Sequence, residues 1–183
     1  MVKITRTFVR EWAGVYNHRA RPGDRSEERA IKGWLRGQPV TKHLDKGHFV
    51  RLAVWTAPRG RAAYERNDPH LVRETTSRAS RISNERLKLY VLTALEGVNV
   101  TVAAAVLHFF SPRLFPIFDV RVRTTLKKAG LWKRRTGDAS IEAWEEFVPV
   151  MRRLSRRLRV SLRDLDKALY AYDRWRKRRR PRR

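Results

Sequence analysis

One aspartate, Asp119, ends the segment Pro116-Ile117-Phe118-Asp119 and is followed by Val120-Arg121-Val122. A lone carboxylate reached through apolar residues can stabilise a developing positive charge or activate a water, and an apolar wall strengthens either effect. Upstream, Leu95-Glu96-Gly97-Val98-Asn99-Val100-Thr101-Val102-Ala103 reads as a tight turn ahead of an apolar helix. The unpaired N–H groups at such a helix start bind a phosphate without any cationic side chain. Ala103, Ala104 and Ala105 keep that helix thin, so a neighbouring element can approach closely. The plainer account of each feature is also open. An aspartate after a proline loop and before a helix is a common N-cap, and a turn of this kind can serve as a non-specific DNA-binding module.

Charge says what such a site would meet. The 183 residues carry 43 Lys and Arg against 18 Asp and Glu, a formal charge of +25, so a polyanion is the natural partner. Arginine outnumbers lysine, which suits bidentate contacts to phosphate. Arg121 and Arg123, close after Asp119, are candidates to grip backbone phosphates, or else are solvated surface cations. Trp55, Arg59, Tyr64 and Asn67 surround the Trp55-Thr56-Ala57-Pro58-Arg59 loop and combine stacking surface with hydrogen-bond donors, the mix a base pocket or an intercalating wedge needs. His108 is a further base-reading candidate on an apolar helix. Core packing is the competing role for Trp55, Tyr64 and His108.

Other chemistries fall away. There is no cysteine, hence no disulfide, thiolate metal site, iron–sulfur cluster or thiol nucleophile. The five histidines are scattered, with no H-x3-H or HExxH spacing, so no metal site is expected. No apolar run is long enough to cross a bilayer and the start lacks a signal-peptide pattern, so a cytoplasmic protein without membrane contact is expected. Hydrophobic residues at 42%, with 6 Trp, 5 Tyr and 7 Phe, provide for a folded core.

The elements that must position these residues are helices. Phe8, Trp12, Val15 and Tyr16 recur at helical spacing; Arg21-Pro22-Gly23-Asp24 reads as a turn, with Ser26 capping a helix through Ile31, Trp34 and Leu35. Asp45 caps a helix carrying Phe49, Leu52 and Ala53 that Pro58 and Gly60 end. Asp68-Pro69 starts the next. Ser83 opens a helix with Leu87, Tyr90, Val91 and Leu95, stopped by Gly97, and another runs from Val100 to Phe110. A short helix covers Val122 and Leu126 up to Gly130. Two more span Ser140 to about Leu158, kinked or divided at Pro149, and Ser161 to about Arg176, with a Ser161-x-x-Asp164 cap. No alternating apolar run and no long repeat is present. The expectation is an all-α fold over residues 1–175 as a single unit of two lobes, with a basic flexible tail at 176–183.

The turn and the aspartate together resemble the helix-hairpin-helix DNA glycosylase superfamily. Its hairpin has the form L-P-G-V-G-x-x-x-A, matched at Leu95, Gly97, Val98 and Ala103, and its P-x-x-D-x-x-V element is matched at Pro116, Asp119 and Val122. The resemblance covers about residues 83–130. Glu96 stands for the family's proline, and Asn99 for its second glycine, as the non-glycine residue most able to accept positive φ. Thr101 stands where lyase-competent members carry lysine and cannot form a Schiff base.

What the resemblance implies is a compact glycosylase fold with two helical lobes flanking a cleft, double-stranded DNA as partner, and a monomer without an iron–sulfur cluster. Asp119 would be the catalytic carboxylate of a monofunctional enzyme, which hydrolyses the N-glycosidic bond of a flipped-out base and leaves an abasic site. Gly97, Val98, Asn99, Val100 and Thr101 would hold the DNA backbone, with no cofactor beyond a monovalent cation at the hairpin. The base would be a damaged one met in repair or a hypermodified one met in phage defence, such as glucosylated hydroxymethylcytosine. A non-catalytic helix-hairpin-helix DNA-binding protein and a basic RNA- or ribosome-binding protein are the competing functions.

Overall fold

The computed structural model describes residues 1–20, 22–38 and 42–176. These form ten α-helices and no strand: α1 (Arg6–Arg19), α2 (Pro22–Arg36), α3 (Lys46–Thr56), α4 (Arg61–Arg66), α5 (Pro69–Arg81), α6 (Glu85–Leu92), α7 (Val100–Phe110), α8 (Val120–Lys128), α9 (Ile141–Leu158) and α10 (Leu162–Arg176). The all-α expectation holds. No helix among the described residues is long and apolar enough to cross a membrane. The helices gather into two compact units, one of Met1–Ala20 with Arg113–Arg183, the other of Arg21–Pro112. The basic tail 176–183 lies outside the described residues, apart from Arg176 at the end of α10.

Side-chain caps set most helix starts. Thr5, Asp45, Asp68, Asn84, Asn99, Asp119 and Ser140 each accept an amide N–H two or three residues on, an interaction typically worth about 1 kcal/mol. Within Arg21–Pro112, α7 is buried on every side except at Thr101. It packs against α2, α3 and α6. Ala103, Ala104 and Ala105 are fully buried, and their small side chains allow these close approaches. Thr76 joins two segments by accepting the N–H of Leu44 at 2.9 Å while donating to the Val72 carbonyl. The Lys88 ammonium covers the end of α5 by donating to the carbonyls of Ala79 and Ser80.

In the other unit α10 packs against α1, α8 and α9. Tyr16, Ala171 and Trp175 form a cluster between α1 and α10, with Trp12, Val15 and Tyr170 at its edge. The buried Thr125 hydroxyl ties α8 to α10 by donating to the Leu169 carbonyl at 2.8 Å. The inner face of α9, Trp144, Phe147, Val148, Met151 and Leu154, receives the aromatic residues that precede α8.

The element boundaries depart from expectation in four places. α2 starts at Pro22, not after a Ser26 cap, because proline at the first helical position has its φ preset and lacks only an N–H that would be unpaired there. Pro58 and Gly60 end α3 as expected, but a 3-10 turn over Pro58–Gly60 leads at once into α4. The cap of α6 is Asn84, and the helix stops at Leu92, short of Leu95. α9 runs through Pro149 undivided, the proline standing exposed on its outer face where water can satisfy the freed carbonyl.

Candidate nucleic-acid and catalytic site

Seven residues, Thr93 to Asn99, connect α6 to α7. Gly97 has φ of +80°, and a Cβ there would lie 2.8 Å from Ala63 Cβ and 3.0 Å from the Tyr64 ring. Glycine is therefore required twice, for its backbone and for its contact with α4. Asn67 clamps the same turn. Its Oδ1 accepts the Glu96 N–H at 2.7 Å, and its Nδ2 donates to the Glu96 carbonyl at 3.1 Å as well as to Ala63 and Tyr64. Outside this clamp Arg66 pairs with the Glu96 carboxylate.

Asn99 does not use positive φ. At φ −100° and ψ 177° it is the N-cap of α7, and its Oδ1 accepts the N–H groups of Thr101 and Val102 at 3.0 and 3.1 Å. The Thr101 amide expected to face a phosphate is thus taken by the cap, and the Val98 amide is taken by the Leu95 carbonyl at 3.1 Å. Among the described residues the N–H groups of Gly97, Asn99 and Val100 have no protein acceptor. Three donors at a helix start remain for an anion.

Asp119 belongs to the other unit. It is the N-cap of α8, its Oδ1 accepting the Arg121 N–H at 2.7 Å. The chain reaches it through Phe115, Pro116, Ile117 and Phe118, all buried. Phe115 stacks on Trp144 at 6.0 Å and Phe118 meets Phe147 edge-on at 5.1 Å. Arg152 braces this approach from α9, donating to the Leu114 carbonyl at 2.6 Å. The Asp119 carboxylate is half-buried. Burial pushes its pKa above the ordinary 3.8, against the pull of the Arg121 and Val122 amides and of the Arg121 and Arg123 charges. An apolar surround that raises a carboxyl while two amides orient it is the environment of a tuned acid or base.

The two arginines after Asp119 have different fates. Arg121 keeps an exposed guanidinium, at 41% side-chain exposure, 3.5 Å from Asp173. Arg123 is 2% exposed, so it is not a surface cation for a phosphate. Its guanidinium lies 4.0 Å over the Phe118 ring and donates to the Asp138 carbonyl. Burial pushes its pKa down, while Asp119 and Asp138 oppose that shift. It ties the 131–139 loop to the floor beneath Asp119.

Of the five base-pocket candidates, Tyr64 and Asn67 meet at the end of α4, where both are buried. Tyr64 is 2% exposed, donates its hydroxyl to the Ala57 carbonyl at 3.1 Å and forms the seat for Gly97. Asn67 is spent on the turn, and His108 is wholly buried in α7. Arg59 is exposed. Trp55, half-buried and edge-on to Phe109 at 5.6 Å, lines a cavity of about 350 Å³ with Val50, Val54, Pro58 and the Arg51–Glu27 pair.

Sequence reasoning missed Asp173. At 3% exposure it accepts Lys128 at 2.7 Å and lies beside Arg121, joining α10 to both ends of α8. Two acids seven residues apart, Asp166 and Asp173, both buried at 3% exposure among the apolar residues of α10, are the signal that marks it. No protein-family model, no curated protein and no solved structure matches the chain.

Proposed function

We propose that this chain is a monofunctional DNA glycosylase, in which Asp119 stabilises the oxocarbenium-like sugar of a flipped-out nucleotide and orients the attacking water. The observation that carries the reading is the Asp119 carboxylate: half-buried, raised in pKa by its surroundings and oriented by the Arg121 amide. It is supported by the turn at Gly97, whose open N–H groups suit a backbone phosphate, and by the net charge of +25. The substrate would be double-stranded DNA with a damaged or hypermodified base. The released product would be the free base, the strand staying intact because Thr101 offers no amine for a Schiff base.

The test is incubation with duplexes carrying a panel of damaged and naturally modified bases, with abasic sites revealed by alkali. Asp119→Asn should abolish release while duplex affinity is retained. Asparagine caps a helix as well as aspartate does, so this variant separates chemistry from folding. Release from no substrate, or undiminished release by the variant, sinks the enzyme reading. Trapping of a borohydride adduct would exclude its monofunctional form. A non-catalytic DNA-binding protein is the second reading, favoured by one observation: the Asp119 side chain already has a complete structural role as the cap of α8.

A further inference from the structure

α9 divides by charge: Glu142, Glu145 and Glu146 lie in its first half, and Arg152, Arg153, Arg156 and Arg157 in its second, followed by Arg159. Arg153, Arg156, Arg157 and Arg159 are exposed, and among the described residues none has a carboxylate partner. Cations in a last turn complement the helix dipole, which accounts for Arg156 and Arg157. Arg153 lies beyond the reach of that effect. Arg159 is the single non-glycine residue with positive φ among the described residues, at +53°. It ends the helix in a Schellman-type turn, with Val160 N–H donating to the Ser155 carbonyl and the Ser155 hydroxyl returning to the Val160 carbonyl at 2.6 Å. That position favours glycine, so an arginine there keeps its charge at the expense of backbone strain.

Arg153 and Arg157, one helical turn apart on one face, also rim a cavity of about 280 Å³. Its floor is apolar, made by Val150 and Leu154 of α9 with Gly130 and Leu131 beyond α8. That volume falls just below the usual range of small-molecule pockets and suits one ring system. Guanidinium groups beside an apolar hole match a ligand that alternates phosphates with flat apolar rings. A nucleic acid carries this alternation at every residue whereas an acidic peptide does so only in particular sequences, and a lipid surface is too flat to fill a rimmed hole. We propose that the C-terminal half of α9 is a second nucleic-acid contact, where Arg153 and Arg157 hold backbone phosphates and the cavity takes one unstacked base. This surface does not depend on Asp119 or on base excision.

Anisotropy titration of a labelled single strand tests it, using the full chain and variants checked for helicity by circular dichroism. Arg153→Gln with Arg157→Gln should weaken binding about tenfold and flatten the salt dependence. Arg6→Gln with Arg10→Gln, an equal charge loss on α1, should weaken it by less than about twofold. Equal losses in the two pairs overturn the proposal in favour of a diffuse cationic surface. Val150→Trp, which fills the cavity, should cost about fivefold on the base-bearing strand and nothing on an otherwise identical abasic strand. Loss on both strands alike, or on neither, overturns the base-binding part. Phosphatidylglycerol vesicles that depend on Arg153 and Arg157 more strongly than the strand does would overturn the choice of partner. Because no base release is read, failure of the glycosylase reading leaves this outcome independent.

Discussion

Around Gly97 the chain is fixed by packing and neutral hydrogen bonds: a glycine against a tyrosine ring, an asparagine clamp and an asparagine cap. Around Asp119 it is fixed by charge. Arg123 reaches the Asp138 carbonyl, Arg134 bridges Asp138 and Glu146, and Asp173 takes Lys128 and Arg121. The first arrangement presents a backbone surface held mainly by neutral contacts, with one exposed ion pair, Arg66–Glu96, outside the clamp. The second holds a carboxylate inside a mixed field, where each neighbouring charge moves the energy of its ionised form. Under the proposed function, a phosphate seat would need only shape, whereas a catalytic acid or base would need a tuned pKa.

The largest effect expected is from Gly97→Ala. Left-handed backbone costs alanine about 1–2 kcal/mol, and a methyl pressed into Ala63 and Tyr64 adds about 1–3 kcal/mol of overpacking. Urea unfolding should register the sum, and a loss below about 1 kcal/mol would mean that the turn is not sterically fixed. Asn67→Ala should follow, at about 2 kcal/mol, because it strands the Glu96 N–H and carbonyl. Its loss should be the same in low and in high salt, which separates a neutral clamp from an ionic one.

Asp173→Asn is the matching test in the charged region. Cutting a fully buried pair costs about 3–5 kcal/mol, but Lys128 and Arg121 are part-exposed and can be rehydrated, so about 2 kcal/mol is expected. Under the proposed function it should also alter DNA affinity, since Arg121 loses its anchor. Acid probes the same contrast. Hydrogen bonds from Ser140, then the Arg134 pair, hold Asp138 down at about 2 against an ordinary 3.8. A depressed carboxyl contributes stability above 3.8 that is lost as pH falls toward 2. Hydrogen exchange in that window should therefore rise in residues 131–139 before it rises in the 93–99 turn.

The neutral region was the more legible in sequence. Gly97, the apolar α7 and the caps Asp45 and Asp68 follow from local rules, since a cap is read from residues three apart. The clamp by Asn67 was not legible, because it joins positions 29 residues apart and its partners are backbone atoms that carry no side-chain signature. α4 was hidden by Pro58 and Gly60, which signal a break without revealing that the next helix starts immediately. Near Asp119 the cap and the apolar approach were legible, yet Arg123 reads as a surface cation until its burial over Phe118 is seen. Asp173 fell outside sequence reasoning because its partners lie 45 and 52 residues away.

The smallest effect, and the most informative about Asp119, is on stability. Burial raises its pKa in the folded chain, so the folded state binds the proton more tightly than the unfolded one. For a raised carboxyl the favourable contribution is complete below the unfolded value, ordinarily 3.8, and is lost as pH rises through the folded value. At neutral pH the half-buried Asp119 carboxyl therefore subtracts from stability, despite its cap. Asp119→Asn keeps the cap and removes the buried charge, so its melting temperature should exceed that of the parent slightly at pH 7, with the difference vanishing below pH 3.8. A carboxylate kept for its cap alone predicts no gain at pH 7, because asparagine caps the helix equally well. A gain at pH 7 together with abolished base release would be the pattern of a group held ionised against its surroundings for the sake of chemistry.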